Sequence, residues 1–334
     1  MKKLTFVLFF CSHFCFSQVT IRGKVVEQST RKPIAFTNIG IQRTGVGTLS
    51  NDDGTFALRI PENLKTDSVI FSGLGYSIIK TPIQRLQEVD LTIELKEQVV
   101  HLGEVVVKNK KDKNTKFELG NYRVGGGTLE TDTLYAGASD ALLVENTNPT
   151  LNDLQFPVYL EKANIRIYRN NLPSFKIRVR LYAVDSLSKE PGNDMFSQSM
   201  VEESSIRNGW LTFDFTAYKF VIDKPFFISF ERILTKTDRD LIAKGYQDFV
   251  RKHPNKLETD TVVFEGKKVV SQKLKGSGID LPGTFIAIST NRTANEKFSC
   301  YTRKTSFAKW EKVRGIIAAT VTLSNQPAPS SPDK

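Results

Sequence analysis

The chain has 334 residues, enough for two domains, with 47 Lys and Arg against 36 Asp and Glu and a formal net charge of +11. No segment approaches the ~20 uninterrupted apolar residues of a membrane-spanning helix, which excludes a transmembrane segment of that kind. Three cysteines are present, and Cys11 and Cys15 lie near the N-terminus, so a fold stapled by internal disulfides is excluded too.

The chain opens MKKLTFVLFFCSHFCFSQ. Lys2 and Lys3 precede an apolar run from Leu4 to Phe10, and the small Ser17 stands before Gln18. This order predicts a secretory signal peptide over residues 1–17. A lipid-attachment reading of Cys11 fails on the bulky Phe10 before it. Removing the leader leaves Cys300 as the one cysteine and lowers the net charge from +11 to +9. The expected location is outside the cytoplasm, in the periplasm or at the outer membrane and cell surface. There a basic excess points to anionic glycans, lipid head groups or acidic proteins, not nucleic acid, or to a solubilising surface charge.

Residues 18–97 are predicted to form a first domain of short alternating strands. VTIRGKVVE, IAFTNIGIQ, GTFALRI, DSVIFSG and VDLTIEL are separated by turn residues with no helical period between them, which predicts an antiparallel β-sandwich. NDDGTF offers hard oxygens from Asn51, Asp52 and Asp53, but it lacks the spacing of a calcium loop. Asp53-Gly54 reads instead as a hairpin turn, with Gly54 at positive φ.

Gly23, Pro33, Asp53, Gly54, Phe56, Ser72, Gly75 and Tyr76 stand at the places where the carboxypeptidase regulatory-like domain carries its G-x-V, proline, D-G-x-F and S-x-x-G-Y elements. Residues 19–97 resemble that family. The resemblance implies a transthyretin-like sandwich without catalytic function. In Bacteroidetes-type bacteria such domains often precede TonB-dependent receptors, and GEVVV is similar to the segment that joins the domain to those receptors. The remaining length is too short for the ~22-strand barrel of such a receptor, so a stand-alone relative is expected.

HLGE, residues 101–104, matches the H-x-x-E zinc spacing of carboxypeptidases. His101 and Glu104 are considered as metal ligands and rejected. In the carboxypeptidases the catalytic domain precedes the regulatory-like one, whereas His101 comes after it. The other histidine of the mature chain, His253, sits beside Arg251, Lys252 and Pro254, where cations disfavour a metal. Residues 98–127 therefore read as a strand and then a tether. Lys108, Lys110, Lys111, Lys113 and Lys116 repel one another, and Gly125–Gly127 adds flexibility. Contact of the lysines with an anionic polymer is the alternative.

Residues 128–324 are expected to form a second, jelly-roll-like sandwich of about eight strands. The clearest alternation, over 162–185, reads as a hairpin turning at RNNLPS. Ala163, Ile165, Ile167, Phe175, Ile177, Val179, Leu181 and Ala183 face its core. TDRDLIAKGYQDFVRKHP, about residues 238–253, is helical in period, with Thr237 as its cap, and reads as an insertion on the sandwich edge. Residues 325–334 read as a disordered tail. This part resembles uncharacterised sandwich domains of exported Bacteroidetes proteins. The fold class is thus all-β: a transthyretin-like sandwich, a linker, and a jelly-roll-like sandwich with one helical insertion.

Little of a catalytic constellation is visible. There is no G-x-S-x-G, Cys300 stands alone, and a glycosidase carboxylate pair is a three-dimensional question. The expected function is a non-enzymatic binding protein of the cell envelope without a cofactor, its partner an anionic polysaccharide or an outer-membrane protein complex. The alternatives are a structural accessory subunit of such a complex and, behind it, a hydrolase (zinc peptidase or glycosidase). The expected ligand-binding residues are Arg166, Tyr168, Lys176, Arg178, Arg180 and Tyr182, cations and rings on the outer face of one hairpin. The alternative is the ordinary polar face of a half-buried sheet. Trp210 and Trp310 are further platforms for a sugar, or else buried core rings.

Overall fold

The computed structural model describes residues 19–86, 91–98, 115–128, 136–145, 156–196, 200–264, 267–274, 281–291 and 297–327. The expected signal peptide, the HLGE segment with His101 and Glu104, and the lysine run up to residue 114 lie outside the described residues.

The first domain packs two small sheets. Val19–Glu27 is the centre of one, antiparallel to Thr55–Ile60 and parallel to Leu91–Leu95. The other runs Gly47–Leu49, Asn38–Gly40, Ser68–Ser72, Ile79–Pro82. Their facing side chains, among them Ile21, Val25, Ile39, Phe56, Leu58, Phe71 and Leu95, make one buried cluster. Gly54 has φ +79° in the Asn51–Thr55 turn, as the Asp-Gly pair predicts. Gly23 has a different reason: a Cβ there would stand 2.3 Å from the Leu91 carbonyl oxygen, so only glycine lets the parallel strand come alongside.

The second domain is a larger sandwich, a seven-stranded sheet facing an eight-stranded one, well beyond the eight strands expected in all. In the first sheet Phe175–Val184 pairs with Phe226–Ile233, which pairs with Ser139–Val144, and Cys300–Arg303 and Glu311–Val313 continue it. In the second, the long strand Val158–Asn170 carries Gly209–Asp214 and Val221–Ile222 along one edge. Ala319–Ser324 and Thr284–Ser289 lie along its other edge. Phenylalanines 213, 215, 226 and 230 fill the space between the sheets with Ile165, Val179, Leu181 and Val321.

Three expectations are corrected. Val158–Asn170 and Phe175–Val184 belong to different sheets, so RNNLPS is a corner between layers and not a hairpin turn. Alternation reports which side chains share a face, not which strand is the neighbour. The corner is held by its asparagines: Asn170 caps Leu172, and Asn171 exchanges hydrogen bonds with Leu281 and Gly283. Second, flexibility does not extend to residue 127. Lys116–Gly120 pairs with Ala319–Ser324, and Gly126–Thr128 with Thr284–Ser289. Third, the tail does not begin at 325, because buried Asn325 accepts a hydrogen bond from the Thr115 amide at 2.8 Å.

The helix spans Lys236–Lys252 and its cap is Thr235, not Thr237. Thr235 and Asp238 form a reciprocal capping box. A two-stranded hairpin, Leu257–Phe264 with Lys267–Leu274, comes after it. Arg239 of the helix donates to Thr48 and Asn51 of the first domain, so the helix bridges the domains as well as covering an edge.

Candidate functional site

The six expected binding residues fall into two groups, one on each sheet. Lys176, Arg178, Arg180 and Tyr182 lie on Phe175–Val184, and the outward face of that strand is covered, at Arg178 by the first domain and at Arg180 and Tyr182 by other segments of the second. Arg178 is 2% exposed, Arg180 9% and Tyr182 4%. Arg178 donates to Glu231 at 2.8 Å, to the Phe36 carbonyl at 2.7 Å and to Asn38 Oδ1 at 2.7 Å. Arg180 pairs with Asp194, and half-buried Lys176 with Glu203. Arg178 and Arg180, whose donors are committed to these partners, serve as an internal lock and not as an open ligand surface. Burial alone would raise the Glu231 carboxyl, but Arg178 and Arg180 outweigh it and hold it at about 2.

Arg166 and Tyr168 are on the other sheet, on the face of Val158–Asn170 that looks away from the core, with Lys162 and Asn164. Register brings neighbours into rows across that face. Arg166 opposes Trp210, Asn164 lies between Thr212 and Thr320, and Lys162 lies between Asp214 and Thr322. Tyr122, just beyond the strand Lys116–Gly120, meets Trp210 edge to face, with ring centres 6.1 Å apart and 67° between the planes. The Arg166 guanidinium carbon is 6.0 Å from the Trp210 ring, and the same guanidinium donates to Asn208 at 2.7 Å.

The rows are wired sideways. Thr212 donates to Asn164 at 2.8 Å and Asn164 to Thr320 at 3.1 Å. Tyr122 donates to Glu118 at 2.7 Å; partial burial and that carboxylate push its phenol up to about 12. It therefore stays a protonated donor at neutral pH. Asp214 is lowered, first by the Thr216 hydroxyl. Trp210 is 38% and Tyr122 52% exposed. Two large rings open to solvent beside a fixed ladder of hydroxyl, amide and guanidinium groups can stack on C–H surfaces and exchange hydrogen bonds with hydroxyls.

Trp210 was legible as a platform, but Tyr122 and Asn208 were not. Tyr122 stands in a stretch whose glycines and lysines read as tether, and its strand is visible only once Ala319–Ser324 is placed beside it. Trp310 is half-buried and packs on Tyr182 with centres 5.6 Å apart.

Other groups are used structurally. The Cys300 thiol is buried, pushed up to about 12 by burial and then by Asp140, which makes it a poor nucleophile. His253 ends the helix and packs on Phe249 at 4.8 Å. Asp53 accepts from the amide and hydroxyl of Thr55, and Asn51 accepts from Arg239. Among the described residues no three His, Cys, Asp or Glu side chains gather where they could share a metal ion, and no helix is long and apolar enough to cross a membrane.

No curated protein matches the chain. Among solved structures it is similar to the cysteine protease and lectin-like domains of Cwp84, a surface layer associated protein of Clostridium difficile, at 8% identity and a TM-score of 0.30. That alignment covers 86% of this chain and 58% of that one. Residues 21–107 match the family model of the CarboxypepD_reg-like domain, so the N-terminal sandwich is similar to the non-catalytic β-sandwich domains of that family.

Proposed function

We propose that this chain is an exported, non-catalytic binding protein of the cell envelope that holds a polysaccharide on the outer face of its eight-stranded sheet. The exposed Trp210–Tyr122 pair beside Arg166 carries this reading. Lone exposed rings are ordinary on a protein surface; paired rings at the end of a polar ladder give a saccharide both a stacking surface and directional partners. The 67° between the rings suits one free chain more than a flat crystalline surface, which needs coplanar rings. Charge on the face is mixed, with Lys162 and Arg166 against Glu118 and Asp214, so the fit is to hydroxyl-rich sugars of low charge. Export is supported by the order of Lys2, Lys3, Leu4–Phe10 and Ser17.

Affinity gel electrophoresis against a panel of soluble polysaccharides tests it. The wild type is expected to be retarded by at least one of them. Trp210→Ala and Tyr122→Ala each weaken that binding about tenfold or more, ~1.4 kcal/mol, with thermal melting unchanged. Equal retardation of wild type and Trp210→Ala across the panel would sink the proposal.

A further inference from the structure

A concave surface lies where the two domains meet, apart from the aromatic face. It encloses about 490 Å³ between the Gln42–Arg43 turn of the first domain and the segment from Arg303 to Trp310 of the second, with Glu190 at one side. Both walls are fixed. The Arg43 amide donates to the Phe307 carbonyl at 2.8 Å. A Cβ on Gly40 would stand 3.1 Å from the Phe307 ring, and one on Gly47 3.0 Å from Thr305, so the two segments are already in close contact.

The charge inside is unbalanced. Arg43, Arg303 and Lys309 line the cleft against the single carboxylate of Glu190. Arg303 is only 8% exposed, and among the described residues no carboxylate lies within ion-pair distance of it. Its guanidinium carbon sits 4.2 Å from the Trp310 ring centre and 5.3 Å from that of Tyr182. One nitrogen donates to the Tyr182 hydroxyl at 2.6 Å, but Nε has no acceptor. Glu231 acts on this guanidinium only through space, from beyond ion-pair distance, so a buried cation between two aromatic rings is left with a donor that lacks the acceptor burial ordinarily demands. Arg43 and Lys309, both exposed, likewise have no carboxylate partner among the described residues.

We propose that this cleft binds the carboxylate of a uronic-acid saccharide. Arg303, Arg43 and Lys309 hold the anion, and Trp310 lines the wall against which the sugar ring rests. Fixed guanidinium groups give a planar carboxylate charge-assisted hydrogen bonds, and an aromatic wall distinguishes a sugar acid from a bare inorganic anion. Both domains contribute, so the site exists only in the docked molecule. The proposal does not depend on the aromatic face.

Isothermal titration of the full mature chain with tri-galacturonate, and with its carboxyl-reduced neutral counterpart, decides it. The expected result is saturable binding of the acid and about tenfold or weaker binding of the neutral sugar. Arg43→Ala with Lys309→Ala, both at exposed positions, is expected to weaken binding of the acid at least tenfold, while Trp210→Ala leaves it unchanged. No saturable binding of tri-galacturonate by the wild type would overturn the proposal. So would an unchanged affinity in the double variant, or loss of binding in Trp210→Ala instead.

Discussion

Glu231 shows how much a single side chain carries here. It is fully buried, ion-paired with Arg178, 3.8 Å from Arg180, and takes a 2.6 Å hydrogen bond from Ser306. Breaking such a group by removing one partner is costly, because the remaining charges stay buried without compensation. Glu231→Gln is therefore expected to lose about 3 kcal/mol or more at pH 7, read by urea denaturation. The pH dependence has a definite sign. The folded carboxyl is held at about 2 and the ordinary value is 4.5, so the unfolded chain takes up the proton first as pH falls. The stabilisation is complete above about pH 5 and is lost progressively between there and pH 2. Glu231→Gln should flatten that part of the stability profile. An unchanged acid limb would mean that other carboxylates govern it.

At the scale of elements, the helix Lys236–Lys252 is the most legible piece. Its period, its length and its end before Pro254 were all in the sequence, and only the cap was misplaced by two residues, from Thr235 to Thr237. Gly245 within it was not explicable from the sequence. Replacing a mid-helix glycine by alanine ordinarily stabilises a helix by ~1 kcal/mol. Here a Cβ would stand 2.1 Å from Pro282 Cγ. Gly245→Ala is thus expected to lower the melting temperature by several degrees and to loosen the helix, seen as faster amide exchange over 236–252. A higher melting temperature would show that Pro282 yields. The strands were legible as strands for the same reason the helix was: Ile165, Ile167, Ile177 and Val179 alternate and all enter the core. Their partners were not. RNNLPS has the chemistry of a turn whether it joins neighbours in one sheet or steps between two sheets, and nothing local separates the cases. Half of the candidate face, Arg166 and Tyr168, was therefore found for a partly wrong reason, and Tyr122 was hidden until its strand had a neighbour.

The same ambiguity grows at the scale of the whole molecule. Arg178, Arg180 and Tyr182 occupy the polar phase of an alternating strand, which normally faces water. In this chain that phase is covered, Arg178 by Phe36 and Asn38 of the first domain, Arg180 and Tyr182 by Asp194 and Trp310 of their own, and a pattern of apolar and polar residues has no separate signature for that case. The lysine-rich stretch between the domains suggested two bodies on a tether. Instead Arg178 reaches Phe36 and Asn38, Arg239 reaches Thr48 and Asn51, and Leu49 packs with Ala136 and Ile233. An interface of buried charge-assisted bonds and apolar contacts couples the unfolding of its two sides in a way that a mobile tether would not. Calorimetry of the mature chain is expected to show one transition. Arg178→Ala removes three interdomain and network bonds at once and leaves Glu231 short of its main partner, so it should both lower the transition and split it, the smaller first domain melting separately. Two independent transitions in the wild type would mean that the domains do not stabilise each other. The cleft between them would then have no fixed shape, and the uronate proposal would fail with it, whereas the Trp210–Tyr122 face, built within one sheet, would be untouched.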